Sequence, residues 1–309
     1  MLRDPLLVLA RSGRVKKLVS TMPVSAGIVR GYVPGEDIPA AVEASAALAE
    51  DGLMISLDYL GEDTTDRAQA EETVQAYLDL LAALGERRLT HRAEVSVKLS
   101  AIGQALDDDG DGVALENART ICRAARNAGT MITVDMEDHT TTDRTLATVR
   151  ELRKDFPETG CVLQAMLHRT ESDCRTLAYE GSRVRLCKGA YAEPDEVAFS
   201  DRVEIDKSFV RCLKVLLGGQ GYAMVATHDP RMIEIASSLA RRHGRAPGTY
   251  EFQMLYGIRP EEQKRLASKG ETVRTYLPYG EEWYGYLMRR LAERPQNLAF
   301  FARSLVSKK

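Results

Sequence analysis

The stretch SRVRLCKGAY, residues 182–191, sets two cations, Arg185 and Lys188, at the end of a short apolar run, followed by Gly189, Ala190 and Tyr191. Cations beside backbone that a partner can approach closely make a wall for an anionic or electron-rich flat ligand. Comparable polar residues close seven other apolar runs: Asp58, Lys98, Asp135, Gln164, His228, Gln253 and Tyr276. Lys98, Arg185 and Lys188 face few carboxylates at those ends, mainly Asp58, Asp135 and Glu137, so the balance reads as cationic. Near the end of the chain, Arg289 and Arg290 stand side by side, about 100° apart on a helix, with Glu293 one turn on. Trp283, Tyr284, Leu287 and Leu291 surround them with apolar surface. Paired arginines on a buried helix suit bidentate capture of a carboxylate.

Metal chemistry fits less well. Asp135 and Glu137 alternate onto one face of the third strand, with His139 just beyond, but no second His or Asp stands at a helpful place on neighbouring strands, and two nearby lysines oppose a divalent cation. Asp107, Asp109, Asp111 and Gly112 begin like a calcium loop, yet the twelfth position is Ala118 rather than Glu.

The elements that position these groups repeat. Strand-like runs at 53–60, 94–100, 131–137, 160–167, 182–188, 221–229, 249–255 and 272–280 alternate with helical patterns. Caps are legible at Thr65 or Asp66, and at Asp229 before Pro230. Short apolar strands are buried on both faces. Eight consecutive strand–helix units predict an α/β fold, a closed (β/α)8 TIM barrel with polar strand ends gathered at one mouth. An open doubly wound sheet is disfavoured because no GxGxxG follows the first strand. We expect residues 1–50 to form an N-terminal helical arm and 51–309 a single barrel domain.

Bulk properties narrow the class. The 309 residues are 44% hydrophobic and 28% charged, with a formal net charge of -3, which gives no electrostatic reason to expect nucleic acid. The five cysteines, none in a CxxC pair, read as reduced, buried thiols of a cytoplasmic protein. No apolar run approaches membrane-spanning length. The first helix is basic and amphipathic, with Arg11, Arg14, Lys16 and Lys17; it reads as an arm packed on the surface, or as a weak membrane attachment.

The motifs SLDYLGE, VSVKLS, VDMED, VLQAML, VRLCKGAY, ATHD, YEFQML and YLPYGEEWYGYLMRRLAERPQN together resemble the monofunctional bacterial proline dehydrogenases, over residues 53–301. The resemblance implies a distorted barrel that holds FAD, with the helix of the eighth unit over the barrel mouth. It implies oxidation of L-proline to Δ1-pyrroline-5-carboxylate by hydride transfer from the ring carbon beside the nitrogen. It implies that Arg289, Arg290 and Lys98 hold the substrate carboxylate, that Tyr276 and Leu255 pack on the ring, and that Tyr191 and Ala190 complete the pocket. Glu62 resembles the residue that pairs with the first arginine on closure. Asp135 is implied near substrate and flavin, Arg185 near the reactive flavin nitrogen, and Gln164 at the isoalloxazine edge. Lys188, Gly189, Ala190, Thr227, His228, Gln253 and Glu293 are implied to hold the rest of the cofactor, with Arg202 a further contact. Electrons are implied to pass to a membrane quinone, which would place the protein peripherally on the inner face of the membrane. A separate pyrroline-5-carboxylate dehydrogenase would take the next step.

Two other classes fit the residues alone. One is a Schiff-base aldolase using Lys98 or Lys188 as the amine nucleophile; the other is a non-catalytic binding barrel. The arginine pair generates a test. Arg290→Met is expected to raise the proline concentration needed for half-maximal rate at least tenfold while flavin stays bound, a loss of about 1.4 kcal/mol or more of binding. An unchanged requirement in steady-state assays would remove Arg290 from the carboxylate site.

Overall fold

The computed structural model describes Val29 and residues 31–287. Its strands are β1 (Met54–Tyr59), β2 (Ala93–Val97), β3 (Ile132–Val134), β4 (Gly160–Gln164), β5 (Arg183–Cys187), β6 (Tyr222–Ala226), β7 (Tyr250–Leu255) and β8 (Val273–Tyr279). They close into one barrel in chain order, and every pairing is parallel. The main helices are α1 (Ile38–Glu50), α2 (Arg67–Glu86), α3 (Gly110–Ala128), α4 (Thr142–Asp155), α5 (Thr170–Leu177), α6 (Arg202–Gly218), α7 (Pro230–Arg242) and α8 (Pro260–Ser268). The expected alternation is therefore present, and the fold is an α/β TIM-type barrel.

Local chemistry explains the boundaries. Asp66 rather than Thr65 caps α2, accepting from the backbone N–H groups of Ala68 and Gln69. Asp229 caps α7 from the position before Pro230. Gly129, at φ 81°, ends α3 in the left-handed conformation. The third strand is shorter than the run 131–137 suggested. Asp135 makes the last ladder bond, to the Val97 carbonyl, and Glu137 then turns away to the backbone and hydroxyl of Ser100. The motif at 107–112 is tied up by protein groups, with Asp111 accepting from Gln104 and Arg144.

Period-two alternation divides each strand. Outward residues such as Ile55, Val95, Leu163, Val184 and Phe252 join the apolar core under the helices. The opposite face fills the barrel, and it is unusually polar. Glu94 accepts from Arg183 at 2.7 Å and from Thr133 at 2.9 Å, and Arg274 binds Glu251 at 2.7 and 3.1 Å. All four charged groups are buried. Burial by itself pushes the Glu94 carboxyl upward, but Arg183, Arg274 and Arg185 more than offset this and bring it down to about 2.

Residues 31–37 cross the rim beside β7 and β8. Gly257 sits at φ 72°, where a Cβ would lie 1.7 Å from the Gly31 carbonyl oxygen, so no larger residue fits. Trp283 Nε1 then donates to Glu36 at 2.6 Å, which fixes the start of the helix after β8. The basic segment 11–17 and the arginine pair lie outside the described residues.

The depressed Glu94 value carries a stability consequence. The folded state gains from the ionised carboxylate above the ordinary value of 4.5 and loses that gain as pH falls toward 2. Glu94→Gln, which leaves buried Arg183 without its counter-charge, is expected to cost roughly 3–5 kcal/mol at neutral pH. It should also flatten the pH dependence of unfolding in the 4.5-to-2 window. Denaturant titrations across that range check both.

Candidate active site

The strand ends enclose a cavity of about 480 Å³, within the usual range for small-molecule and cofactor sites. Every one of the eight strands sends at least one of the expected polar residues into it: Asp58, Lys98, Asp135, Gln164, Arg185 with Lys188, His228, Gln253 and Tyr276. Glu62, Gly189, Ala190, Tyr191, Thr227 and Leu255 line it as well. Arg202 does not; it opens α6, directly after the Asp201 cap, and its side chain is exposed. Arg289, Arg290 and Glu293 lie outside the described residues; Tyr286, three residues before Arg289 in the sequence, lines the cavity.

Arg185 is the centre of the site. It rises from β5 and is held from four other strands. Nε donates to Gln253 Oε1 at 2.5 Å, Nη1 to Asp135 Oδ1 at 2.6 Å, and Nη2 to Ser96 at 3.0 Å and Ser56 at 3.3 Å. Tyr276 donates its phenol to the other Asp135 oxygen at 2.6 Å, and its ring lies 5.3 Å from the Arg185 guanidinium carbon. Burial first, then Asp135 and Asp58, push the Tyr276 phenol well above its ordinary range, so it stays protonated and donates.

The cationic balance inferred from sequence is corrected by the structure. Each cation has a carboxylate partner. Lys98 Nζ meets both oxygens of Asp58, at 2.6 and 2.7 Å. Lys188 is bound by Asp206 and, at 3.1 Å, by Asp229. Asp206 sits on α6 and Asp229 at the cap of α7, so neither belongs to a strand end. Burial, the largest influence on Lys98, opposes its charge; Asp58 and then Asp135 outweigh it and raise the ammonium above its ordinary value.

The acids considered for metal binding part company. Asp135 turns to Arg185 and Tyr276, Glu137 to Ser100, and His139 to Glu193. Among the described residues no three His, Cys, Asp or Glu side chains gather as a metal site. All five cysteines are free thiols. Cys187 lines the cavity, but burial pushes its thiol up to about 11, which removes it as a nucleophile near neutral pH.

Sequence reasoning missed the layer beneath the mouth. Ser56 and Ser96 bond each other at 2.8 Å and both accept from Arg185. Glu94, Arg183, Glu251 and Arg274 lie deeper. Their signal was present as single charges at every second place in apolar runs, as in AEVSV, RVRLC and YEFQML. Asp206 carried none, being one of two acids, with Glu204, in the first turns of an amphipathic helix.

A family model described as proline dehydrogenase matches residues 41–303. The chain is 36% identical to "Proline dehydrogenase 2" of Bacillus subtilis, covering 99% of both sequences. It is 40% identical to "Proline dehydrogenase" of Deinococcus radiodurans, covering 89% of each. Among solved structures, proline utilization A from Bdellovibrio bacteriovorus superposes with a TM-score of 0.79 at 24% identity, over 86% of this chain and 32% of that one. That likeness concerns the fold, and this chain spans about a third of the larger protein. With a matching family model over most of its length and relatives of this similarity end to end, the chain belongs to the proline dehydrogenase family.

Proposed function

We propose that the chain oxidises L-proline to Δ1-pyrroline-5-carboxylate with FAD as its cofactor, in proline catabolism. The observation that carries this reading is the single cavity into which all eight strands deliver the motif residues, with the Arg185 guanidinium fixed in its wall.

The donor set suits a flavin. Gln164 gives its amide nitrogen to the Glu137 carbonyl at 2.7 Å, which leaves the amide oxygen as an acceptor. His228 Nε2 accepts from the Leu255 N–H at 2.9 Å, which puts the ring proton on Nδ1 as a donor. The Thr227 hydroxyl oxygen accepts from the Asp229 N–H at 3.1 Å and keeps its hydrogen to give. Gly189, at φ 106°, brings bare backbone to the wall beside Met166. In this reading Arg185, Gln164, Lys188, Gly189, Ala190, Thr227, His228 and Gln253 hold FAD, with Glu293. Arg202 is the outlier of the set because of its exposed position. FAD, when bound, would supply the acceptor for the hydride from the ring carbon beside nitrogen.

The chain's own groups do the rest. Lys98, kept charged by Asp58, offers a fixed positive charge to the proline carboxylate together with Arg289 and Arg290, and Glu62 pairs with the first of these on closure. Asp135, shared by Arg185 and Tyr276, lies where substrate and cofactor meet. Tyr276, Leu255, Ala190 and Tyr191 form the apolar walls for the pyrrolidine ring. The bulk of Tyr276, whose phenol is tied to Asp135, disfavours a 4-hydroxyl on that ring.

The same reading takes residues 1–50 as an arm and 51–309 as one catalytic domain, with Ala41 and Val42 of α1 packed into the barrel core. It assigns a membrane quinone as electron acceptor, reached by peripheral attachment on the cytoplasmic side. Among the described residues no helix is long and apolar enough to cross a membrane. A separate dehydrogenase consumes the product. The aldolase alternative needs an amine that is neutral near pH 7, and Lys98 is raised instead.

The deciding measurement is a visible spectrum without oxygen. The purified protein is expected to be yellow and to bleach on addition of L-proline, and trans-4-hydroxy-L-proline should bleach it at least tenfold more slowly, a difference of about 1.4 kcal/mol. A colourless protein trapped by borohydride with a carbonyl substrate would support the aldolase instead.

A further inference from the structure

Glu251 stands two residues before Gln253 on β7, on the same barrel-facing side, and is wholly buried at 0% exposure. Its Oε1 accepts from Gln253 Nε2 at 2.5 Å and from Arg274 Nε at 2.7 Å. Its Oε2 accepts from Arg274 Nη2 at 3.1 Å and from the Tyr222 hydroxyl at 3.0 Å. A carboxylate paired with arginine can only accept, and the Nε–H of Arg185 can only donate. Both neighbours of the Gln253 amide therefore dictate the same orientation, with nitrogen toward Glu251 and oxygen toward Arg185. The alternative orientation would set an NH2 group against the Arg185 Nε–H and an amide oxygen against a carboxylate.

The consequence reaches the cavity. Arg185 has five N–H groups, and its contacts with Gln253, Asp135, Ser96 and Ser56 engage four of them. The fifth belongs to Nη1, and the plane in which it lies follows from where the other four are held. We propose that Glu251 is a positioning residue for the reaction: by orienting the Gln253 amide it fixes the plane of Arg185, and so the direction of the guanidinium hydrogen left for an electron-rich ligand in the mouth. This rests on the reading that FAD occupies the cavity beside Arg185. Glu251 does not line the cavity; its partners are Gln253, Arg274 and Tyr222, below the mouth.

The direct route from Glu251 to Arg185 runs through Gln253; a longer one passes from Arg274 to Glu94, which lies 3.7 Å from Arg274 and 3.8 Å from Arg185. Replacing the Glu251–Arg274 pair together with apolar residues of similar size, E251M/R274M, leaves net charge unchanged and removes the anchor of the amide. In the flavin-loaded enzyme this variant is expected to have a lower flavin midpoint potential, since a turned guanidinium stabilises the reduced cofactor less. Proline-driven bleaching should slow about tenfold, as for loss of one well-placed hydrogen bond to a charged group. In a Gln253→Met background the same pair replacement should move neither the potential nor the bleaching rate further, because the relay is already broken. Arg274→Lys, which keeps Glu251 and its charge partner, should retain the wild-type potential. An unchanged potential in E251M/R274M, or equal shifts with and without Gln253, would overturn the proposal. If E251M/R274M does not fold, E251L/R274L, which likewise removes both charges and the anchor of the amide, carries the same expectations in the two backgrounds. A wild-type chain that binds no flavin overturns the FAD reading and this inference with it. A flavin-bearing wild type whose variants behave additively overturns the inference alone.

Discussion

Three guanidinium groups buried inside a closed barrel are the constraint around which this molecule is built. The interior of such a barrel is ordinarily filled by branched apolar side chains, and an unpaired buried charge costs several kcal/mol. Arg183, Arg185 and Arg274 therefore oblige other strands to supply Glu94, Asp135 and Glu251 at matching heights. The pairs cross the barrel as well as joining neighbours, since Arg183 on β5 meets Glu94 on β2. A slip of one residue in any of these strands would turn its charged set outward into the apolar helix layer. Charge pairing and strand register thus enforce each other. The same pairing ties the Arg185 guanidinium in the cavity wall to Asp135 and Gln253.

Much of this was legible from residues alone. The barrel could be read because eight short apolar runs alternate with helical periodicity, and the mouth could be read because each run ends in a polar residue. The balance of charge could not. Asp206 and Asp229 reach Lys188 from a helix face and a helix cap, positions where an acid is commonplace. The pairing of Asp58 with Lys98 is a matter of neighbouring strands and their register, which a list of strand ends does not contain. The interior charges were visible as residues, but Arg185 was read as pointing out of a strand end rather than as crossing to four other strands. Arg202 resembled a ligand contact by motif and stands exposed because the cap at Asp201 sets where its helix begins.

The site also shows how two cations serve different ends. Lys98 and Arg185 are both cations at strand ends, yet their surroundings separate them. Lys98 keeps its charge through a two-oxygen grip by one acid. Arg185 spreads its charge over an acid, an amide and two hydroxyls, so that no single partner neutralises it. A carboxylate-bearing substrate and an electron-rich cofactor would ask for such a difference.

Closure of the barrel joins residues 54–59 to 274–279, the two most distant strands of the sheet. Arg274 adds a bond to the Ile55 carbonyl across a separation of 219 residues. On a ribosome this seam can be sealed only when the eighth strand, the last to be made, has emerged. Until then two sheet edges stay open and Glu251 faces a hollow without its main cation. The nascent chain therefore passes through a stage rich in exposed backbone donors and acceptors, and the last strand delivers both the missing edge and the missing charge in one step. A product truncated before residue 273 would keep those edges, which makes it a natural client for chaperones and proteases.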